Sequence, residues 1–270
     1  MKAFCVNIPS ETERRQHCER QYEEAQIDHE FIAAIDGRVQ EVAAPSPATP
    51  SEAQRWQDVD RVASRFSFLQ DNMNSPARAC ALSHFKAWER AAQQSKKDGL
   101  HHMVNEDDFR NADLVQLRAL MEEVARAPFD IIYLGYRGGE TRPSGLRPWL
   151  QRNWQRLKYA MSSRSLEALT QRNYVLHRGA RPIRGFDHLL HAGMTWGGHA
   201  YLMNARGAEV LMEANRSLRF LPDEALRWVI LEGKVNVGMS AVKHFVCEDF
   251  GSAIRSREEH EDHHQRYPST

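Results

Sequence analysis

At 270 residues, 41% of them hydrophobic and 27% charged, the chain is long enough for one full α/β core and has the composition of an ordinary soluble protein. Lys plus Arg and Asp plus Glu each number 36, so bulk charge nominates no nucleic-acid or membrane partner. The four cysteines, Cys5, Cys18, Cys80 and Cys247, follow no paired metal-ligand spacing, and no apolar run is long enough to cross a bilayer.

The opening, M-K-A-F-C-V-N-I-P-S-E-T-E-R-R, has no sustained apolar stretch of the secretory kind. The expectation is a cytoplasmic protein with reduced thiols, with room for peripheral contact at the inner face of a membrane. Residues 3–8 alternate Phe4, Val6 and Ile8 and predict a first strand. Ser10 and Glu13 have the spacing of a capping box, predicting a surface helix behind them. Residues 31–35 predict a second strand closing on the turn pair Asp36-Gly37, which makes a strand–helix–strand unit of the parallel-sheet kind.

Residues 41–51 hold three prolines and read as a linker, and the stretch from Glu52 to Asn74 is poorly periodic. Ser75-Pro76 reads as a cap followed by proline in the first turn of a helix over 77–94, with Cys80, His84, Ala87 and Trp88 near one face. A short strand over 100–104 then runs into Asn105-Glu106-Asp107-Asp108. In open α/β sheets ligands gather beyond the carboxyl ends of strands, so this acidic cluster is a candidate site.

A helix over 114–126 and a strand over 130–134 follow. Residues 137–192 then carry eleven Lys and Arg against only Glu140, Glu167 and Asp187, a local excess of eight positive charges. Regular structure returns with an extended stretch over 195–204, a helix over 205–214, a helix opened by Leu221-Pro222-Asp223-Glu224, and a last strand over 235–239. The tail 255–270 is charged and expected to fray. Residues 1–254 therefore form one predicted α/β domain, with 137–192 as a basic, acceptor-side insertion.

Four stretches, in order, resemble glycosyltransferase family 25, the lipooligosaccharide and collagen galactosyltransferase group. They are A-F-C-V-N-I-P-S-E-T-E-R-R with E-F-I-A-A-I-D-G; Ala79-Cys80-Ala81-Leu82-Ser83-His84 with Trp88; Glu106-Asp107-Asp108; and Gly197-Gly198-His199-Ala200-Tyr201-Leu202 with Gly207-Ala208 and Pro222-Asp223. The resemblance implies a GT-A-like fold with a mostly parallel central sheet flanked by helices. It also implies an inverting transfer, a nucleotide-diphosphate sugar donor and a divalent metal, Mn²⁺ or Mg²⁺. Asn105 departs from the family's apolar residue before the acidic triplet, and Gly198 from its usual Thr.

The chemistry asks for such residues independently. A departing nucleotide diphosphate gathers negative charge that a cation offsets, and hard cations take oxygen ligands. Glu106 and Asp108 are spaced like a D-x-D. Asp108 is assigned to the metal, with Glu106 and Asp107 shared between the metal's water and the donor ribose; the plain alternative is a solvated acidic turn. His244 is a further metal-ligand candidate, a neutral imidazole being a good ligand for first-row metals. Inversion needs a base, for which Asp223 is the candidate and Glu224 its neighbouring alternative, although first-turn carboxylates also simply complement the helix dipole. Arg14 or Arg15 is expected to touch the donor or brace the first loop. Asp36 is expected to face uracil or ribose, and Ser83 and His84 to reach donor phosphates.

The expected activity is hexose transfer, of galactose or glucose, from a UDP-sugar to a hydroxyl of a surface glycan such as lipooligosaccharide. The basic segment suits an anionic glycan acceptor. The same chemistry on a protein or modified nucleic-acid base, and a non-catalytic nucleotide-sugar-binding protein, are the alternatives.

Overall fold

The computed structural model describes residues 1–66, 73–138, 146–162 and 165–248. Glu140, Arg142 and Arg164 of the basic segment, and all of the tail 255–270, lie outside the described residues.

The opening unit comprises β1 (Lys2–Asn7), α1 (Thr12–Ala25) and β2 (Asp28–Ala33), and its two strands are parallel. β2 starts and stops earlier than the predicted 31–35, because it pairs along the whole of β1, from Lys2 opposite Asp28 to Asn7 opposite Ala33. The predicted capping box does not form. Glu11 holds the cap position without a side-chain bond, and Ser10 offers only its carbonyl, 3.0 Å from the Thr12 nitrogen.

Two further helices are capped by side chains of the residue before them. Thr49 caps α2 (Pro50–Ala63), which absorbs the end of the predicted linker. Asn74, rather than Ser75, caps α3 (Ser75–Asp98), accepting from the Ala77 nitrogen at 2.9 Å. The Ser75 hydroxyl instead accepts from the Val42 nitrogen at 2.8 Å, tying the linker to the helix.

The chain continues through β3 (His102–Glu106), β4 (Phe109–Asn111), α4 (Leu117–Val124) and β5 (Ile131–Arg137). The basic segment contains α5 (Leu146–Met161), α6 (Leu166–Leu176), β6 (Arg181–Pro182) and β7 (Leu189–His191). β8 (Trp196–Met203), α7 (Ala205–Ala214), α8 (Pro222–Glu232) and β9 (Val237–Ser240) follow, and β10 (Phe245–Cys247) comes after the strand expected to be last.

Eight strands form one sheet in the order β2-β1-β3-β8-β5-β9-β7-β6, and β10 pairs with β4 beside it. Following the pairings across the sheet, β8 and β7 run against the other six strands, which share one direction. The expected α/β class with a mostly parallel sheet is therefore observed, and the reversed β8 sits at its centre. Alternate residues of each strand feed two cores. Phe4, Val6, Ile131, Tyr133, Tyr201 and Met203 pack towards α2, α3, α7 and α8, while Ala3, Cys5, Ile132, Leu134, Ala200 and Leu202 pack towards α1 and α4. Gly207 lets α7 approach closely, since a Cβ there would lie 2.5 Å from the Asp130 carbonyl oxygen.

Asn105 is fully buried in β3, where an apolar residue was expected, and α1 supplies its partner. The Tyr22 hydroxyl donates to Asn105 Oδ1 at 2.8 Å, and Asn105 Nδ2 donates to the Glu106 carbonyl at 2.9 Å. Removing one partner of a buried pair costs more than removing both. Tyr22→Phe should therefore destabilise the protein by about 1–3 kcal/mol in urea unfolding, and adding Asn105→Leu should recover part of that loss. Equal or greater loss in the double variant would show that the pair is not the reason for Asn105.

Candidate active site

β1, β2 and β3 are parallel, so their carboxyl ends lie at one edge of the sheet, with Asn7 opposite Ala33 and Val6 opposite Glu106. Reversed β8 begins at that same edge, its Ala200 opposite Asn105 and its Trp196 opposite Arg137 at the end of β5. The acidic triplet follows directly from β3, as the sequence led one to expect. β10 pairs with β4 so that Cys247 lies opposite Phe109, beside Asp108.

The three carboxylates have three different environments. Asp107 is clamped: Oδ2 accepts from Asn7 Nδ2 at 2.8 Å and Oδ1 from Arg14 Nη1 at 3.0 Å. Burial raises its carboxyl despite those donors. Each oxygen accepts from the chain, so Asp107 braces β1 and α1 against β3.

Glu106 is met by a chain of side chains from β8 and α3. Trp88 Nε1 donates to the Tyr201 hydroxyl at 2.7 Å, and that hydroxyl lies 3.2 Å from His84 Nδ1. Indole can only donate, so the Tyr201 hydrogen is free to go to His84 Nδ1, which leaves the ring's own hydrogen on Nε2. His84 Nε2 lies 3.3 Å from Glu106 Oε1, outside hydrogen-bond alignment. Burial works to raise the Glu106 carboxyl, but the His84 contact, with the Arg14 charge, brings it below its ordinary value.

Asp108 is the least satisfied. Oδ2 accepts from the Cys247 thiol at 3.3 Å, whereas Oδ1 is buried with no hydrogen-bond partner. Burial, then the charge of Glu106, push its carboxyl up to about 7. His199 stands next to it, its Nε2 also buried and without a hydrogen-bond partner. Burial holds this imidazole down to about 4, Arg137 and Lys243 acting in the same direction, so it is neutral at physiological pH.

One ligand atom from each of Asp108, His199 and Cys247 lies within 4.8 Å of the others, and Cys80, His84 and Glu106 form a second such group. Two orphaned buried ligand atoms, one carboxylate oxygen and one neutral imidazole nitrogen, fit a divalent first-row cation. The imidazole favours Mn²⁺ over Mg²⁺. Burial and the Asp108 charge hold the Cys247 thiol well above its ordinary range, so its role here is to donate to Asp108.

α8 brings Asp223 to the same group of charges. Burial, then the charge of Glu106, raise its carboxyl, and its Oδ1 accepts from the Glu224 nitrogen at 2.9 Å. Glu224 itself is buried and turned to the helix end, its Oε2 accepting from the Leu221 nitrogen at 3.0 Å. Of the two base candidates, the structure therefore directs Asp223 to the site and gives Glu224 a capping role.

Other expected residues stand elsewhere. Arg14 faces the triplet, but Arg15 pairs with Glu19 at 3.2 Å and lies over Phe31 on the outer surface. Ser83 is satisfied within the fold, donating to the Ala79 carbonyl at 2.6 Å and accepting from the Ile35 nitrogen at 2.9 Å. It fixes the chain leaving β2 and has no need of a phosphate. Asp36 is engaged by Arg38 at 2.8 Å, and that hydrogen bond lowers its carboxyl. His244 is buried, with Nδ1 2.5 Å from the Asp113 carbonyl oxygen, and it belongs to neither ligand group. His199, Tyr201 and Cys247 carry roles the sequence did not announce. The period-two spacing of His199 and Tyr201 on a strand was the available signal, and nothing local marked Cys247.

No curated protein matches the chain. The model of glycosyltransferase family 25, described as an LPS biosynthesis protein family, matches residues 1–226 and so spans β1 through the start of α8, including the acidic triplet and Asp223. The chain belongs to glycosyltransferase family 25.

Proposed function

We propose that this glycosyltransferase moves a hexose, galactose or glucose, from a UDP-sugar to a hydroxyl of a surface glycan, with inversion at the sugar and with a Mn²⁺-type cation bound at Asp108 and His199. The observation carrying this reading is the pair of orphaned buried ligand atoms, Asp108 Oδ1 and His199 Nε2, next to Glu106 at the strand ends. A divalent cation bound there offsets the negative charge that develops on the departing diphosphate.

The chain's own residues divide the remaining work. Cys247 orients the Asp108 carboxylate by its thiol donation. Arg14 and Asn7 hold Asp107, which fixes the triplet's backbone beneath the donor. His84 brings Nε2 within 3.3 Å of Glu106 and so favours the ionised carboxylate. Asp223 takes the proton from the attacking hydroxyl, and its raised value brings it nearer the operating pH, where a general base is most effective. The GT-A-like architecture implied by the motifs accords with donor binding at the carboxyl ends of the parallel strands.

Asp108→Ala should lower turnover with Mn²⁺ and the cognate UDP-sugar by roughly a thousandfold while leaving the thermal melt of the cation-free protein intact. UDP release undiminished by chelator, or by this substitution, would refute the cation assignment. A protein that binds UDP and Mn²⁺ yet releases no UDP from any donor would favour the non-catalytic alternative. Asp223→Asn should reduce kcat by about 10²–10⁴-fold with little change in UDP affinity. With Mn²⁺ held at saturation at every pH, so that Asp108 no longer sets the profile, activity should rise with pH as Asp223 ionises, and that rising limb should be absent in the variant.

Cation binding should also compete with the proton on Asp108. The folded carboxyl holds its proton up to about 7, above its ordinary value, so the Mn²⁺-induced rise in Tm should grow as pH increases towards and past 7. A pH-independent thermal shift would place the ion elsewhere. Cys247→Ser, which keeps a donor to Asp108, should retain more of the shift than Cys247→Ala.

A further inference from the structure

α5 is turned inside out. None of its residues is buried, and its large apolar side chains face away from the protein: Leu146, Trp149, Leu150, Trp154, Leu157 and Met161 are each between 49% and 78% exposed. Leu146, Leu150, Trp154, Leu157 and Met161 follow one another at three or four residues and set one stripe of the helix, with Trp149 at its edge. Pro148, Arg152, Gln155 and Tyr159, spaced four, three and four apart and all half-buried, form the inward face, while Asn153, also half-buried, lies beside the stripe with Nδ2 donating to the Trp149 carbonyl at 3.1 Å. On the inner side Tyr159 stacks under Arg172 of α6, 4.9 Å away. A helix meant only for its own core would present the opposite face.

Charge shows what this stripe meets. α5 carries Arg147, Arg152, Arg156 and Lys158 and no acidic residue. On a helix of 3.6 residues per turn, Arg147 and Lys158 border the apolar stripe on one side and Arg156 on the other. Lys158 Nζ lies 5.8 Å from the Trp154 ring, its stem along the aromatic surface and its charge at the stripe's edge. Arg181, on β6, has its guanidinium lowered by burial and by the nearby charge of Arg156, so the surroundings add positive charge rather than neutralise it.

A second copy of the chain is a poor occupant, because pairing two such stripes would bring two positive borders together with no carboxylate between them. Nucleic acid would use the arginines but gains nothing from Leu146, Leu150, Leu157 and Met161. Tryptophans and leucines on one face with Lys and Arg along its borders suit the boundary between headgroups and acyl chains of an anionic bilayer.

We infer that α5 docks the enzyme on an anionic membrane surface, its Trp149–Leu150–Trp154–Leu157 stripe buried among lipid and Arg147, Arg156 and Lys158 at the phosphates. No helix among the described residues is long and apolar enough to cross a membrane, so α5 lies in the surface. The placement relates to the site, because β5, the strand before α5, ends at Arg137, whose charge is felt at His199. Surface docking would hold the strand edge near an acceptor carried on lipid.

The test is co-sedimentation of the full chain with phosphatidylglycerol–phosphatidylethanolamine vesicles and with neutral phosphatidylcholine vesicles, alongside tryptophan emission. The protein should bind the anionic vesicles, shift its emission to the blue and be released by salt. Leu150→Glu with Trp154→Glu should abolish binding, and each of Arg147→Gln and Lys158→Gln should weaken it about fivefold. Circular dichroism and donor hydrolysis of these variants should match the unsubstituted protein, since none of the positions is buried or at the site. Equal binding by the double Glu variant, or no binding to anionic vesicles by the intact protein, would overturn the inference. So would self-association that this variant abolishes in the absence of lipid. Binding to vesicles is read without turnover, so its failure is separate from any failure of the transfer reaction.

Discussion

Three consecutive carboxylates at the end of a buried strand set the terms for everything around them. Carboxylates brought close together out of water raise one another's affinity for protons, and each must find a donor, a proton or a cation. The fold supplies donors to Asp107 from β1 and α1, and an imidazole to Glu106 by way of Tyr201 and Trp88. Asp108 receives only a thiol, a weak donor, and so carries the residual electrostatic imbalance, visible as a carboxyl raised to about 7. Hydrogen bonds at Asp107, an adjacent imidazole at Glu106 and a buried oxygen without a partner at Asp108 make Asp108 the preferred place for positive charge.

The reversed strand β8 makes this arrangement attainable. A sheet of parallel strands alone gathers carboxyl ends, which carry the triplet, but its amino ends lie at the opposite edge. By running against β3 and β5, β8 brings its amino end among their carboxyl ends, and with it His199. The same strand carries Tyr201 two residues on, on the same face, where it meets α3. One strand therefore links the neutral imidazole beside Asp108 to the hydrogen-bond chain that orients His84 towards Glu106.

How far the sequence disclosed this depends on the range of the interaction concerned. The strand–helix–strand opening, the α3 helix, the 205–214 helix and the acidic triplet at a strand end were legible, because each rests on local periodicity or on several motifs in order. Caps were read one residue off: Ser10 and Ser75 are reasonable cap residues, but Glu11 and Asn74 occupy those places once the loops are fixed by tertiary bonds. β4, β6, β7 and β10 are two or three residues long, too short to show a period. His244 was the ligand candidate in the sequence because it lies near the C-terminal end of the fold and a neutral imidazole suits first-row metals. Yet the pairing of β10 with β4 delivers Cys247 to Asp108 and leaves His244 on the Asp113 carbonyl. Such choices are made by strand pairing across more than a hundred residues, which no local pattern reports.

The basic segment shows the same limit from the other side. Its charge excess was plain in the sequence, but charge alone does not say where a helix runs or which of its faces turns inwards. On charge alone the segment reads as a surface facing an anionic acceptor. α6 and α8 decide otherwise. Asn173 on α6 donates to the Leu231 carbonyl of α8 at 2.8 Å, fixing α6 against the core, and α6 in turn meets α5 through Arg172 and Tyr159. With the polar face so engaged, the tryptophans and leucines are left outward, flanked by cations. Positive charge and exposed apolar surface on a single helix are thereby one feature of the molecule, and neither is explained by the sugar-transfer site.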